Sequence, residues 1–169
     1  IRFSFNNSRA NVTWRGFTTK YYAQLFGDSN LWQIFLTTLF IAVVVTIIGT
    51  IIGTMGAVGL GKAKFPGKKI ITNSIYFPIV IPEIVLAVAM LLMFNGAGIG
   101  LGIPTIIIGN VTLVLPYVYI TVKARLVGMD PSIEEASMDL GADRFYTFTH
   151  ITMPEIMPGV IAGAFMSFS

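Results

Sequence analysis

Apolar residues in this chain come in long runs, and the polar ones gather between them. No charged residue occurs from position 29 to position 61, and between 70 and 122 the only charge is Glu83. Roughly 20 apolar residues span a hydrocarbon core, whereas a buried helix of a soluble protein carries a shorter run of about 10–14. The first run therefore has room for one crossing and the second for two. The pattern predicts membrane helices over 31–60, 70–94 and 103–122, with 154–169 as the start of a further one. In the first, Gly49 and Gly53 stand four apart, a small-residue spacing that lets helix backbones approach closely. Pro78 and Pro82 predict a kink in the second, because proline removes a backbone donor and clashes with the preceding turn. Pro116 interrupts the third.

The polar intervals fix the expected topology. Lys62, Lys64, Lys68 and Lys69 crowd around Pro66-Gly67 between the first two runs, and Lys123 and Arg125 close the third. Such density of lysine and arginine marks the cytoplasmic side. The charge-free, glycine-rich NGAGIGLG at 95–102 fits a short outer turn. Residues 1–30 are polar but rich in aromatics (Phe3, Phe5, Trp14, Phe17, Tyr21, Tyr22, Phe26), which suits an extracytoplasmic segment lying at the membrane–water interface. Residues 130–150 are then cytoplasmic. This stretch and the residues just beyond it hold six of the chain's eight acidic groups, namely Asp130, Glu134, Glu135, Asp139, Asp143 and Glu155.

Composition adds exclusions. Of the 169 residues 54% are hydrophobic and 11% charged, with mean hydropathy +0.78; a soluble domain carries about 25% charged residues. Zero cysteines exclude a disulfide framework and thiolate metal sites, and the single His150 cannot build a zinc centre. The net charge of +3 is small and concentrated in one loop, which speaks for topology rather than nucleic-acid binding. Ile1 is not an initiator methionine, residues 1–30 lack a signal-peptide apolar core, and the chain stops inside an apolar run. It is expected to be part of a longer protein.

The acidic stretch carries its own helix signals. Asp130 can cap a helix beginning at Pro131, Glu134 and Glu135 favour that helix's positive end, and Gly141 is a natural stop. Asp143 can cap a second short helix through Phe148, after which Pro154 starts the next span. Glu135, Ala136, Ser137, Gly141, Ile151, Met153 and Pro154 stand at the spacing of the Glu-Ala-Ala … Gly … Ile-x-Leu-Pro signature of ABC-importer permeases, with Ser137 and Met153 as the departures. The FSFNNS run at 3–8, the W-x-G-F-T run at 14–18 with Tyr21-Tyr22 behind it, and Pro82-Glu83-Ile84-Val85-Leu86 extend the likeness. Over most of its length the chain resembles the second permease subunit of bacterial spermidine/putrescine importers.

That resemblance implies an all-α, polytopic membrane bundle of the ABC-importer permease type, in the bacterial inner membrane. The family subunit has six spans, so this chain would lack the first and most of the last two. It also implies a cytoplasmic ABC ATPase dimer, a sister permease subunit and an extracytoplasmic substrate-binding protein as partners besides the lipid bilayer. The chain would be no enzyme and would carry no cofactor; ATP and magnesium belong to the ATPase. In this reading Glu135, Ala136, Ser137, Asp139, Gly141, Ile151 and Pro154 form the ATPase-coupling element, with Glu135 and Asp139 four apart on one helix face.

Glu83 is the candidate pathway residue, because a carboxylate at membrane depth marks by default a pathway or a paired charge. Polyamines are polycations that such a group would attract, and its alternative role is a hydrogen bond to a neighbouring helix. Tyr117 and Tyr119 are candidates for cation–π contacts, against ordinary packing or interface anchoring. A phosphonate, iron or thiamine permease is the nearest rival. A passive channel gives no reason for the cytoplasmic loop, and a membrane enzyme would need more titratable groups at membrane depth than Glu83.

Overall fold

The computed structural model describes residues 2–7, 13–14 and 16–169. Ser8 and Arg15, within the two N-terminal runs quoted above, lie outside them. The chain divides into two units, residues 1–40 and 41–169. In the first, a short 3-10 turn (Arg2–Phe5) and helix α1 (Lys20–Gly27) are joined by an antiparallel bridge between Asn6 and Phe17. Phe5 packs on Phe17 and Tyr22 at ring-centroid distances of 5.2 and 5.1 Å, and the Tyr22 hydroxyl donates to Ser4 at 2.9 Å. The aromatics of this segment thus hold a local fold.

Helix α2 (Ser29–Lys62) follows, and its 34 residues are long and apolar enough to cross a membrane. The next stretch departs from expectation. Instead of one kinked helix over 70–94 there are α3 (Lys68–Ile75), α4 (Phe77–Val80) and α5 (Glu83–Gly96), with a bend of 109° between the arms Lys68–Val80 and Glu83–Gly96. The prolines act differently. Pro78 lies in the first turn of α4, where a missing N–H costs nothing. Pro82 forces its predecessor out of helical geometry: Ile81 is extended at φ −80°, ψ 131°, and Pro82 itself has ψ 130°. Two consecutive extended residues break a helix, where one proline would only kink it.

Helix α6 (Ile103–Gly128) is the centre of the second unit. Beyond it lie α7 (Pro131–Asp139), α8 (Arg144–Thr147), a π-helical turn (Phe148–Thr152) and α9 (Met153–Phe168). The span expected to start at Pro154 starts at Arg144, because α8, the π turn and α9 run on as one rod over Arg144–Phe168. Pro154 is tolerated because the π turn shifts the hydrogen-bond ladder just before it, with the Met153 N–H reaching the Phe148 carbonyl five residues back. The second short helix predicted after Asp143 is therefore the head of the last span, which begins ten residues earlier than expected.

Glycine sets the packing. A Cβ on Gly49 would lie 2.8 Å from Val114 Cγ2 and one on Gly53 2.7 Å from Val118 Cβ, so α2 lies directly on α6 with the two running parallel. On an adjacent face Gly159 faces Thr121 and Arg125, and Gly163 faces Val118 and Thr121, which makes α9 antiparallel to α6. Helix α6 is thus clasped between two glycine pairs of equal spacing, and the second pair had drawn no attention in the sequence. Ala57, Val118, Tyr119, Val122 and Ile156 form the buried core between them. This arrangement places Lys62, Lys123 and the head of the last span at one end.

Candidate functional site

The acidic loop is built by local signals that the structure realises residue by residue. The Asp130 carboxylate accepts from the Ser132 N–H at 2.9 Å, which holds its pKa below the usual carboxylate range, and Pro131 opens α7. At the other end the Ala142 N–H reaches the Ser137 carbonyl and the Gly141 N–H that of Met138, the paired bonds of a Schellman stop. Gly141 adopts φ +91°, which only glycine enters without strain. Two residues on, Asp143 caps α8 through the Tyr146 N–H at 2.6 Å.

Of the signature residues, Glu135, Ala136 and Asp139 are exposed along α7, as is Gly141 beyond it. Ser137 turns inward, its hydroxyl 3.2 Å from that of Thr147, so the serine found in place of alanine ties α7 to α8. Ile151 is half-buried in the π turn, and Pro154 is exposed at the start of α9. Leu140 is 90% exposed and Phe145 75%, so the apolar residues of this loop face outward rather than into a core. Exposed acidic groups on α7 thus stand beside exposed apolar side chains just beyond it, at Leu140 and in α8 at Phe145.

What fixes this helix to the membrane part is Glu134, which sequence reasoning had assigned only to the helix dipole. Its carboxylate accepts from Lys62, the last residue of α2, at 2.7 and 2.9 Å, and also from the Thr152 hydroxyl in the last span. Three elements therefore meet on one side chain. Its partners lie 72 and 18 residues away in sequence, so no local pattern announces them.

Burial alone would raise the Glu134 pKa, but the bonds from Lys62 and Thr152 and the Lys62 charge hold it below the usual range. A carboxyl lowered by folding stabilises the folded chain above its unfolded pKa, and that contribution disappears as pH falls through the lower folded value. Glu134→Gln is thus expected to melt below the wild type at neutral pH by an amount that shrinks to nothing in acid. A double-mutant cycle with Lys62→Met should give a coupling of about 0.5–1 kcal/mol, the scale of a partly exposed pair. Unfolding of the four proteins across pH measures both.

The pathway candidates are scattered. Glu83 is exposed and is the first residue of α5, directly after the break, where the helix N-terminus favours a carboxylate. Tyr117 is half exposed on α6. Tyr119 is a core residue, 2% exposed; its ring meets Tyr76 edge-on at 6.0 Å and has the Lys123 ammonium 5.4 Å from its centroid. That ring already has a cation of its own, and packing is the role the structure gives it. Among the described residues no cluster of His, Cys, Asp and Glu could hold a metal ion.

The chain thus combines helices long and apolar enough to cross a membrane with a capped acidic helix tied to two of them, and residues 49–169 match the family described as binding-protein-dependent transport system inner membrane component. The chain belongs to that family. It is 38% identical over 166 residues to the spermidine/putrescine transport system permease protein PotC of Escherichia coli (strain K12), covering 98% of this chain and 63% of that protein. Against PotC of Haemophilus influenzae it is 34% identical over 166 residues, 98% of this chain and 65% of the relative. The putrescine transport system permease protein PotI of Escherichia coli (strain K12) is 34% identical over 176 residues, covering 100% and 63% respectively. The chain spans a little under two thirds of the length of these relatives.

Proposed function

We propose that this chain is the membrane-spanning part of a permease subunit that moves polyamines across the bacterial inner membrane, driven by ATP hydrolysis on a separate subunit. The observation that carries the reading is α7: a capped, exposed acidic helix that stands at the signature spacing and is tied by Glu134 to two membrane helices. Such a helix suits a groove in a cytoplasmic ATPase dimer, which would hold the ATP and magnesium. Its displacement would pass through Lys62 to α2 and through Thr152 to the last span. A sister permease subunit would complete the pathway, and an extracytoplasmic binding protein would deliver the cargo.

Polyamine as cargo rests on the relatives named above and on one chemical feature. At the 109° break α4 ends at Val80, three residues before Glu83, the first residue of α5. A helix C-terminus and a carboxylate both favour a cation, and broken helices at membrane depth are tolerated where they line a cavity. Uptake of labelled spermidine and putrescine by the full complex in vesicles tests the whole reading, with ATP inside the vesicles or withheld. Failure of both amines to enter while another small solute does would reject the cargo and leave the permease class standing.

Glu83→Gln is expected to lower kcat/KM for spermidine uptake by about tenfold, the equivalent of roughly 1.4 kcal/mol of lost cation stabilisation. Complex assembly should be unchanged, because the side chain is exposed at the chain's own surface. Undiminished uptake in the assembled variant would reduce Glu83 to a helix-terminus residue.

A further inference from the structure

Four lysines border a single open cleft of about 700 Å³: Lys62 at the end of α2, Lys68 and Lys69 opening α3, and Lys123 near the end of α6. Glu134 is the one acidic group on its wall, so the cleft carries a net of three positive charges. Its size falls in the range of ligand pockets, roughly 300–1,000 Å³. Three of the lysines are held in place. Lys62 is paired with Glu134, Lys68 donates to the Gly61 and Ala63 carbonyls at 3.3 and 2.9 Å, and Lys123 donates to the Tyr76 hydroxyl at 3.3 Å. Lys69 is exposed and makes no ion pair among the described residues. The remaining wall is apolar, with Leu60, Phe65, Leu126 and Val127. Beside it α3 exposes Ile70 and Ile71.

We infer that this cleft is a binding site for an anionic phospholipid, with the phosphate among the lysines and an acyl chain along the apolar wall. Positive charge alone would serve topology. A topological signal needs no cleft, no fixed ammonium positions and no apolar wall, and these three together match a lipid with a charged head and a hydrocarbon tail. An acidic protein segment would satisfy the charge but leave the apolar wall without a partner. The site sits where α2 and α6 end and shares the Lys62–Glu134 pair with α7. A lipid bound there would bear on how firmly that pair holds the docking helix. The inference stands whatever the cargo is.

The test uses the full-length protein in its complex, reconstituted in phosphatidylcholine vesicles containing trace spin-labelled phosphatidylglycerol or spin-labelled phosphatidylcholine. The wild type is expected to immobilise phosphatidylglycerol preferentially. Lys69→Glu should reduce that preference by about tenfold or more, since a lysine near an anionic headgroup is worth about 1 kcal/mol and the reversal changes two charges. Lys69→Gln should fall in between. Lys64→Glu makes the same change of charge in the same loop but outside the cleft wall, and should lower the preference less than about threefold over the screened distance. Equal losses in the Lys64 and Lys69 variants would show a diffuse field and overturn the site. Displacement of the labelled lipid by inorganic phosphate would make it a free-anion site, and displacement by a soluble acidic peptide would make it a protein contact; either result rejects the lipid.

Discussion

Gly159→Leu is expected to destabilise the helix bundle strongly. A bare Cβ on Gly159 would already stand 2.7 Å from the Thr121 carbonyl oxygen and 2.8 Å from Arg125 Cγ, closer than real Cβ atoms come. The first of these is helix backbone and cannot rotate aside. Overpacking costs about 1–3 kcal/mol where side chains can shift, and here α9 must leave α6 before a leucine fits. The neighbouring Gly163 makes a similar approach, 3.0 Å from Val118 Cα, so no slide along the groove relieves the clash. Thermal stability of the detergent-purified protein, followed by the monodisperse fraction on size exclusion, should show a loss of at least about 3 kcal/mol. Gly59→Ala is the control: no heavy atom lies within 4 Å of its added Cβ, and alanine should gain as much as about 1 kcal/mol in helix propensity. Equal behaviour of the two variants would disprove the clasped packing of α6.

Gly141→Val is expected to leave the bundle standing and disconnect it. No other side chain or stretch of backbone lies within 4 Å of a Cβ added here, so the effect is conformational alone. An L residue at φ +91° costs about 1–2 kcal/mol, and a β-branched one more. Relief comes from unwinding the Schellman stop, which carries the bonds from Gly141 and Ala142 back to α7. The docking helix then loses its fixed angle to α8. ATP-driven uptake should fall by about tenfold or more, each 1.4 kcal/mol being a factor of ten in an equilibrium, while expression and assembly stay near normal. Gly141→Asn should fall less, since asparagine tolerates the left-handed region. Full uptake and full substrate-stimulated ATPase activity in Gly141→Val would refute the docking role of α7.

Features coded within a few residues were readable in the sequence, and those built from distant partners were not. Asp130, Pro131, Gly141 and Asp143 act on their immediate neighbours, and each stands in the structure where its chemistry put it. Pro78 and Pro82 together predict a kink, whereas two consecutive extended residues, Ile81 and Pro82, end the helix outright. Pro154 looked like a start for the opposite reason: a π turn absorbed its missing donor and carried the rod through. Glu134 and the glycines at 159 and 163 stayed silent because their meaning lies in Lys62, Thr152 and α6, none of them local. For Tyr119 packing stood beside a cation–π role, and what separates it from Tyr117 is which face of α6 the flanking helices bury.

The π turn at Phe148–Thr152 has a consequence for phase. An α-helix advances about 100° per residue, and a π turn holds roughly one residue more than the α turn it replaces. The loop end of the last rod and its membrane end are therefore clocked against each other by about one residue's angle. Thr152, which faces Glu134, and the stripe of Gly159 and Gly163, which faces α6, are both aimed correctly only with that offset in place. Rewinding this single turn as α would rotate the glycine stripe away from α6.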